Sequence, residues 1–381
     1  MKNNLLWLRR LIGLSLLLPL VLLAQDTGSR SKSFTVSKGG TLDISTGSGD
    51  IQIRVWTKNE VHVEAEGIDP DELDRLEMTQ SGNTVRVKFR PRWRSGSDAR
   101  FLIDVPSEFN LEMRTAGGDL GVTGALKGEL NGSTSGGDIK LDDVDGKIDM
   151  STSGGDVRCG HVRGDAMLKT SGGDIELEDA SGDVQVSTSG GDIRVGDVGK
   201  SLKARTSGGG IKIGNVGGEA DVSTAGGDIR VGKVSGQASM STAGGDIALE
   251  SASGRVIAKT AGGDIQLRDI TGAIEARTAG GDVQAELIPS GKGRSSLKSA
   301  GGDIRLYIPE NAKATIEATI EVHGWGSDVK DYDIRSDFKA KTYDKNKDRD
   351  VIEATFELNG GGDLITLETV NANIEVRKLK R

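Results

Sequence analysis

The stretch Thr134-Ser135-Gly136-Gly137-Asp138-Ile139-Lys140-Leu141 decides how this chain is read, because Thr152-Ser153-Gly154-Gly155-Asp156-Val157-Arg158-Cys159 restates it 18 residues later. The five-residue phrase Thr-Ser/Ala-Gly-Gly-Asp is first complete at Thr115 to Asp119 and returns through the whole centre of the sequence. Its aspartates fall at Asp138, Asp156, Asp174, Asp192, Asp228, Asp246, Asp264 and Asp282, with Gly210 in one Asp slot and Asp303 after a longer step. A fixed period of this length denotes stacked supersecondary units that share one continuous core.

Counting from each Asp gives the geometry of a unit. The next residue is apolar (Ile139, Val157, Ile175), the one after is usually polar, and the third is apolar again (Leu141, Cys159, Leu177). That alternation is a strand with one face turned inward. Six residues past the Asp another apolar residue follows (Val144, Val162, Ala180), then a glycine, then a second inward pair such as Ile148 with Met150 or Val184 with Val186. Each unit therefore predicts one coil with two main strands, a short third side and Gly-marked corners. The fold class expected is all-β, a parallel β-solenoid (β-helix) of about 18-residue coils. Within the phrase, Thr134, Thr152 and Thr170 begin a column of hydroxyls expected to bond along the stack. The paired glycines are expected to supply positive φ at a sharp corner, and the Asp to accept nearby backbone N–H groups. Cys159 occupies an inward position and reads as a small buried hydrophobe.

Outside the repeats the chain divides into three further segments. Residues 1–24 read as a signal peptide: Arg9 and Arg10 precede the apolar run Leu11 to Ala24, which is shorter than the ~20 residues of a membrane span. Membrane association is expected only through this leader if it stays uncleaved. Residues 25–110 form a β-rich N-terminal cap region with alternating runs such as Ile51-Gln52-Ile53-Arg54-Val55 and Val85-Arg86-Val87-Lys88-Phe89, separated by turn signals that include Gly47-Ser48-Gly49-Asp50. One short helix is expected from Pro70 to about Met78, with Asp69 as N-cap and Glu72 placed for a capping box. The solenoid repeats occupy 111–306. Residues 307–381 are a C-terminal cap in which the rhythm returns at Gly362-Asp363-Leu364 and Asn373, a terminal coil preceded by a capping insertion. No Phe, Trp or Tyr occurs from 110 to 306, so the aromatic residues are expected to fill the cores of the two ends.

Composition narrows the function classes. The net charge is −8, and −11 without Lys2, Arg9 and Arg10 of the leader. Nucleic acid is thereby disfavoured as a partner, since phosphate neutralisation needs a basic surface. The single cysteine excludes an internal disulfide framework and any multi-Cys zinc site. His62, His161 and His323 show no triad or metal spacing, so no catalytic residue is expected. A calcium ladder along Asp138, Asp156, Asp174, Asp192, Asp228, Asp246, Asp264 and Asp282 is the sharper alternative to a purely structural phrase. The calcium-binding nonapeptides, however, carry Gly-Gly-x-Gly-x-Asp. Stacked carboxylates repel, yet Lys140, Arg158, Arg194, Lys212, Arg230 and Arg305 stand two residues past the Asp slot and relieve that repulsion. No metal or other cofactor is therefore required.

The pattern Phe34-Thr35-Val36 with Gly39-Gly40-Thr41-Leu42-Asp43-Ile44, the strand Ile103-Asp104-Val105-Pro106 and the many Gly-Asp-Ile rungs together resemble the bacterial putative-adhesin family. That family is a domain of unknown function, of β-repeat type, in cell-envelope proteins, and the resemblance covers about residues 33 to 378. It implies an adhesive envelope β-solenoid; the leader implies export to the periplasm or cell surface, and the preferred reading is a non-enzymatic protein that binds an envelope protein or glycan partner or acts as a scaffold. The resemblance supplies no catalytic residues. The alternative is a carbohydrate-active enzyme on a parallel β-helix, which needs a local, non-repeating cluster of carboxylates and aromatic sugar platforms.

Overall fold

A computed structural model describes residues 29–92, 99–291, 293–324 and 328–380. The expected signal peptide, Trp93 and Trp325 lie outside the described residues. The repeats stack as a parallel β-solenoid. In each coil the strand that follows the Asp pairs in parallel with its equivalents one unit before and after, as Ile139–Leu141 does with Leu120–Thr123 and Val157–Val162. The second strand does the same on the opposite sheet, as Ile148–Ser151 does with Leu130–Ser133 and Ala166–Lys169. The expected third side continues the first strand round a bend. Val157–Val162, Ile175–Ala180 and Ile193–Val198 each run through both sides as one six-residue strand. The inward positions read from the period are buried without exception from Ile139 to Ile270, and Cys159 is among them. Small aliphatic side chains suit this lumen because two facing sheets leave little depth between them.

The glycines of the phrase work differently from the expectation. None of them has positive φ. The second glycine of each pair is instead required by the stack: a Cβ on Gly155 would sit on the carbonyl oxygen of Gly137 in the coil below. The first is freer, since a Cβ on Gly154 would stand 3.3 Å from the Gly136 oxygen. Close backbone approach between coils, not a left-handed corner, selects the residue.

The ends depart from chain order. At the N-terminal end the coil made of Gly40–Thr46 and Asp50–Trp56 lies between the first repeat strands, Phe109–Arg114 and Leu120–Thr123, and an outer coil made of Thr84–Phe89 and Arg100–Pro106. The other end repeats the device. Asp363–Val370 and Ile374–Lys378 slot between the Ser295–Ser299 and Ile304–Ile308 coil and an outer coil of Ala314–Glu321 with Ile334–Ser336. The returning rhythm at Asp363 is thus an inner layer, one coil inside Ala314–Glu321 and Ile334–Ser336. Antiparallel strands close each end: Leu76–Ser81, Glu60–Glu66 and Arg30–Thr35 at one, Val351–Leu358 and Thr342–Asn346 at the other. Arg30–Thr35, Leu76–Ser81 and Thr342–Asn346 are each paired on one side and form the edge strands.

The helix expected from Pro70 to Met78 is a 3-10 turn, Pro70–Arg75, and Asp69 makes no side-chain cap bond. Leu76 and Met78 alternate into the core as a strand paired with Thr84–Phe89, and that pairing overrides local helix signals. Glu72 is buried and accepts the Arg92 N–H at 2.6 Å in place of closing a capping box. The end aromatics fill the cores in part: Phe89, Phe101 and Phe109 are fully buried, with Phe89 and Phe101 rings 5.9 Å apart, whereas Tyr343 is 46% exposed.

Candidate functional site

The phrase was the first candidate, and its atoms are committed to the rod. Each Asp turns Oδ1 to the amide of the next coil: Asp138 to Asp156 at 2.8 Å, Asp156 to Asp174 at 2.9 Å, Asp174 to Asp192 at 2.8 Å. The ladder begins at Asp50, which accepts the Asp119 N–H at 3.0 Å, and ends through Asp303 and Asn373 on the Asp333 N–H. Asp50 ends the turn signal Gly47-Ser48-Gly49-Asp50 and also forms this first rung. Its place in the ladder was visible in the spacing, since Thr46 precedes Asp50 by the same four residues as Thr115 precedes Asp119. Gly210 donates to Asp192 at 2.9 Å but offers no carboxylate to the coil above, so the ladder lapses there.

The threonines do not bond one another. Each is buried, donates its hydroxyl to a glycine carbonyl of the coil below (Thr152 to Gly137, 2.8 Å) and accepts a glycine N–H of its own corner (Gly155, 3.4 Å). A hydroxyl that both donates and accepts satisfies two corner backbone groups at once. The outer oxygens of the aspartates meet the basic column as expected: Arg158 with Asp156 at 2.8 Å, Arg194 with Asp192 at 2.8 Å, Arg230 with Asp228 at 2.9 Å. Arg305 joins Asp282 at 3.2 Å and Asp303 at 3.0 Å. Among the described residues no group of three or more His, Cys, Asp or Glu side chains is arranged to hold a metal ion.

His161 lies between two carboxylates, whereas His62 meets the Ser31 and Ser33 hydroxyls and His323 lies 3.5 Å from Glu321. The Nδ1 of His161 lies 2.6 Å from Asp179 and its Nε2 3.1 Å from Glu178, and the hydrogen bond to Asp179 raises its pKa above the usual histidine value. A nucleophile beside it would complete a catalytic pair. The neighbouring thiol cannot serve: Cys159 is two residues away on the inward face, and burial pushes its pKa up to about 12.

Concave surface occurs on the outer face of the second sheet. The larger groove, about 610 Å³, runs along the rod from Lys147 to Ser239. One wall is the corner column that includes Asp165, Asp183 and Glu219; the floor is the strand column of Met167, Gln185 and Lys203. In-register pairing brings the floor side chains side by side, Met167 against Gln185 and Gln185 against Lys203. A smaller groove, about 450 Å³, lies where the repeats meet the C-terminal cap. Neither groove was legible as a site, because each gathers residues from several different coils.

The Toastrack DUF4097 family model matches residues 40–258 and 197–352 of the chain. Three solved structures are similar to it at low identity. A putative adhesin from Parabacteroides distasonis is 16% identical, aligned over 63% of this chain and 98% of its own, with a TM-score of 0.30. One from Parabacteroides merdae is 11% identical over 93% and 98%, with a TM-score of 0.28. A putative lipid binding protein from Parabacteroides distasonis is 12% identical over 93% and 98%, with a TM-score of 0.21. No curated protein matches the chain.

Proposed function

The chain belongs to the Toastrack DUF4097 family, and from that premise we propose that it is a non-enzymatic, exported envelope protein whose rod presents binding faces, acting as an adhesin or scaffold. The observation that carries this reading is the long groove from Lys147 to Ser239, where polar side chains repeat coil after coil. A surface that recurs at ~4.8 Å steps suits an extended partner held by many weak contacts better than a single small substrate. Catalysis asks for the opposite, a few groups placed once. The His161 cluster is the nearest approach to such a set, and it stands without an accessible thiol beside it. Export rests on the leader in the sequence, Arg9 and Arg10 followed by Leu11 to Ala24. Among the described residues no helix is long and apolar enough to cross a membrane.

Glycan-array binding of the mature chain, with the same glycans then assayed for new reducing ends, tests the reading. Retention without cleavage is expected, and unchanged by EDTA. Cleavage of any glycan would favour a carbohydrate-active enzyme instead, and loss of retention in EDTA would return the Asp column to consideration as a calcium ladder.

A further inference from the structure

We infer that the groove at the junction of the repeats and the C-terminal cap binds a carboxylated, acidic polysaccharide, with Arg277 as its central contact. This rests on the binding reading above and names the class of partner. Three basic residues stand in register on consecutive coils: Lys259 against Arg277, and Arg277 against Lys298. All three line the groove of about 450 Å³. In a chain whose net charge is −8 these three cations form a basic column, with Glu321 and Glu368 lining the same groove. Like charges directly opposite on neighbouring strands repel, and the flanking pair is relieved: Lys259 holds Glu275 at 2.8 Å and Lys298 holds Glu368 at 2.6 Å. Arg277 is exposed and has no ion pair or side-chain hydrogen bond among the described residues. The contrast with the Asp side is instructive, since Arg158, Arg194, Arg230 and Arg305 are each paired there.

The shape of the site suits a polymer. The strands Ala314–Glu321 and Asp363–Val370 are eight residues long, against four in Val256–Lys259 and five in Ile274–Thr278. They run on past the corner, so Thr319, Glu321 and Val370 raise an end wall. On the corner side the phrase has Ala in place of Ser, and Ala261, Ala279 and Ala300 give a shallow apolar strip opposite the cations. A sugar ring presents a C–H face to such a strip while its carboxylate turns to the basic column. The planar guanidinium takes a carboxylate through two parallel hydrogen bonds, and the flanking ammonium groups, held by Glu275 and Glu368, leave that geometry uncontested.

The test uses the mature full chain in affinity electrophoresis through gels containing polygalacturonate or neutral dextran. Retardation by polygalacturonate and none by dextran is expected, weakening as salt rises. Arg277→Ala should weaken retention at least tenfold while leaving the thermal melt unchanged. Arg163→Ala, the same charge change at an exposed position outside the groove, should leave retention intact. Equal losses in the two variants would reduce the effect to bulk charge and overturn the site. Equal retardation by dextran would overturn the acidic specificity while leaving the broader binding reading in place. Absence of retardation by polygalacturonate would overturn the inference outright, and a neutral hit on the glycan array would then still support the broader reading.

Discussion

In the middle of the rod each coil meets the coils about 18 residues before and after it, as Val184–Ser187 meets Ala166–Lys169 and Leu202–Arg205. At the two ends the layer next to the repeats comes from far away in sequence: Leu111 lies beside Leu42, and Leu297 beside Leu367. Both regions build the same parallel ladder and the same Asp column, so the difference lies in how the chain reaches its place. A middle coil closes a short, constant loop. An end layer sits between two layers distant from it in sequence, which raises its loop-closure cost and makes its pairing non-local. Among the described residues, aromatic side chains are confined to these two end regions, where Phe89, Phe101 and Phe109 pack in the core.

The sharpest way to break the comparison is to delete a layer from each region. Removing residues 363–381 takes away Ile365, Leu367, Ile374 and Val376, all fully buried. At ~1.5–3 kcal/mol each, their loss is comparable with the ~5–15 kcal/mol that holds a whole domain together. Loss of the cooperative melt and aggregation on size exclusion are expected. Removing residues 206–223 instead deletes one unit in phase and joins Arg205 to Thr224, and a folded chain melting within a few degrees of the parent is expected. If both deletions behave alike, the distinction between middle and ends is not energetic.

Within the middle, the two glycines of one corner should differ. Gly155→Ala forces a methyl against the Gly137 carbonyl and should cost about 3 kcal/mol or more, whereas Gly154→Ala should cost about 1 kcal/mol or less. Urea unfolding of the pair measures this directly. A smaller gain is expected at the lapse in the ladder. A Cβ on Gly210 would meet nothing closer than 3.5 Å, and Gly210→Asp offers an acceptor to the coil above, so stabilisation of about 1 kcal/mol is expected.

The smallest effect belongs to His161. Its folded pKa is raised by Asp179, then by Asp143 and Glu178. The contribution is therefore fully present below the unfolded value of ~6.5 and is lost as pH rises through the higher folded value. The melting difference between the parent and His161→Gln should be largest near pH 5.5 and vanish by pH 9, and NMR titration of the imidazole should show the upward shift.

Much of this was legible because a period leaves few alternatives. Eighteen residues with inward pairs at fixed offsets fix the two sheets, and every inward residue from Ile139 to Ile270 is where the spacing places it. What escaped was what a period does not encode. Asp50 was hidden by Gly47-Ser48-Gly49, which keeps the Thr-to-Asp distance but loses the paired glycines. The capping signals at Asp69 and Glu72 are real local preferences overruled by a partner strand. The layer order at the ends depends on pairings across about 70 residues, Leu297 with Leu367 among them. The grooves arise from side chains on successive coils and, at the junction, from strands that outlast their neighbours.

Because Gly40–Thr46 and Ile374–Lys378 each lie between two parallel neighbours, the rod has a mechanical property that a simple stack lacks. Pulled from its ends, the chain first sheds the edge strand Arg30–Thr35, held by one row of bonds. Force then reaches Gly40–Thr46 at one end and Ile374–Lys378 at the other, each gripped by parallel neighbours on both sides. Two rows must shear together before either can slide. Strands clamped on both sides in this way resist load longer than strands paired on one side only.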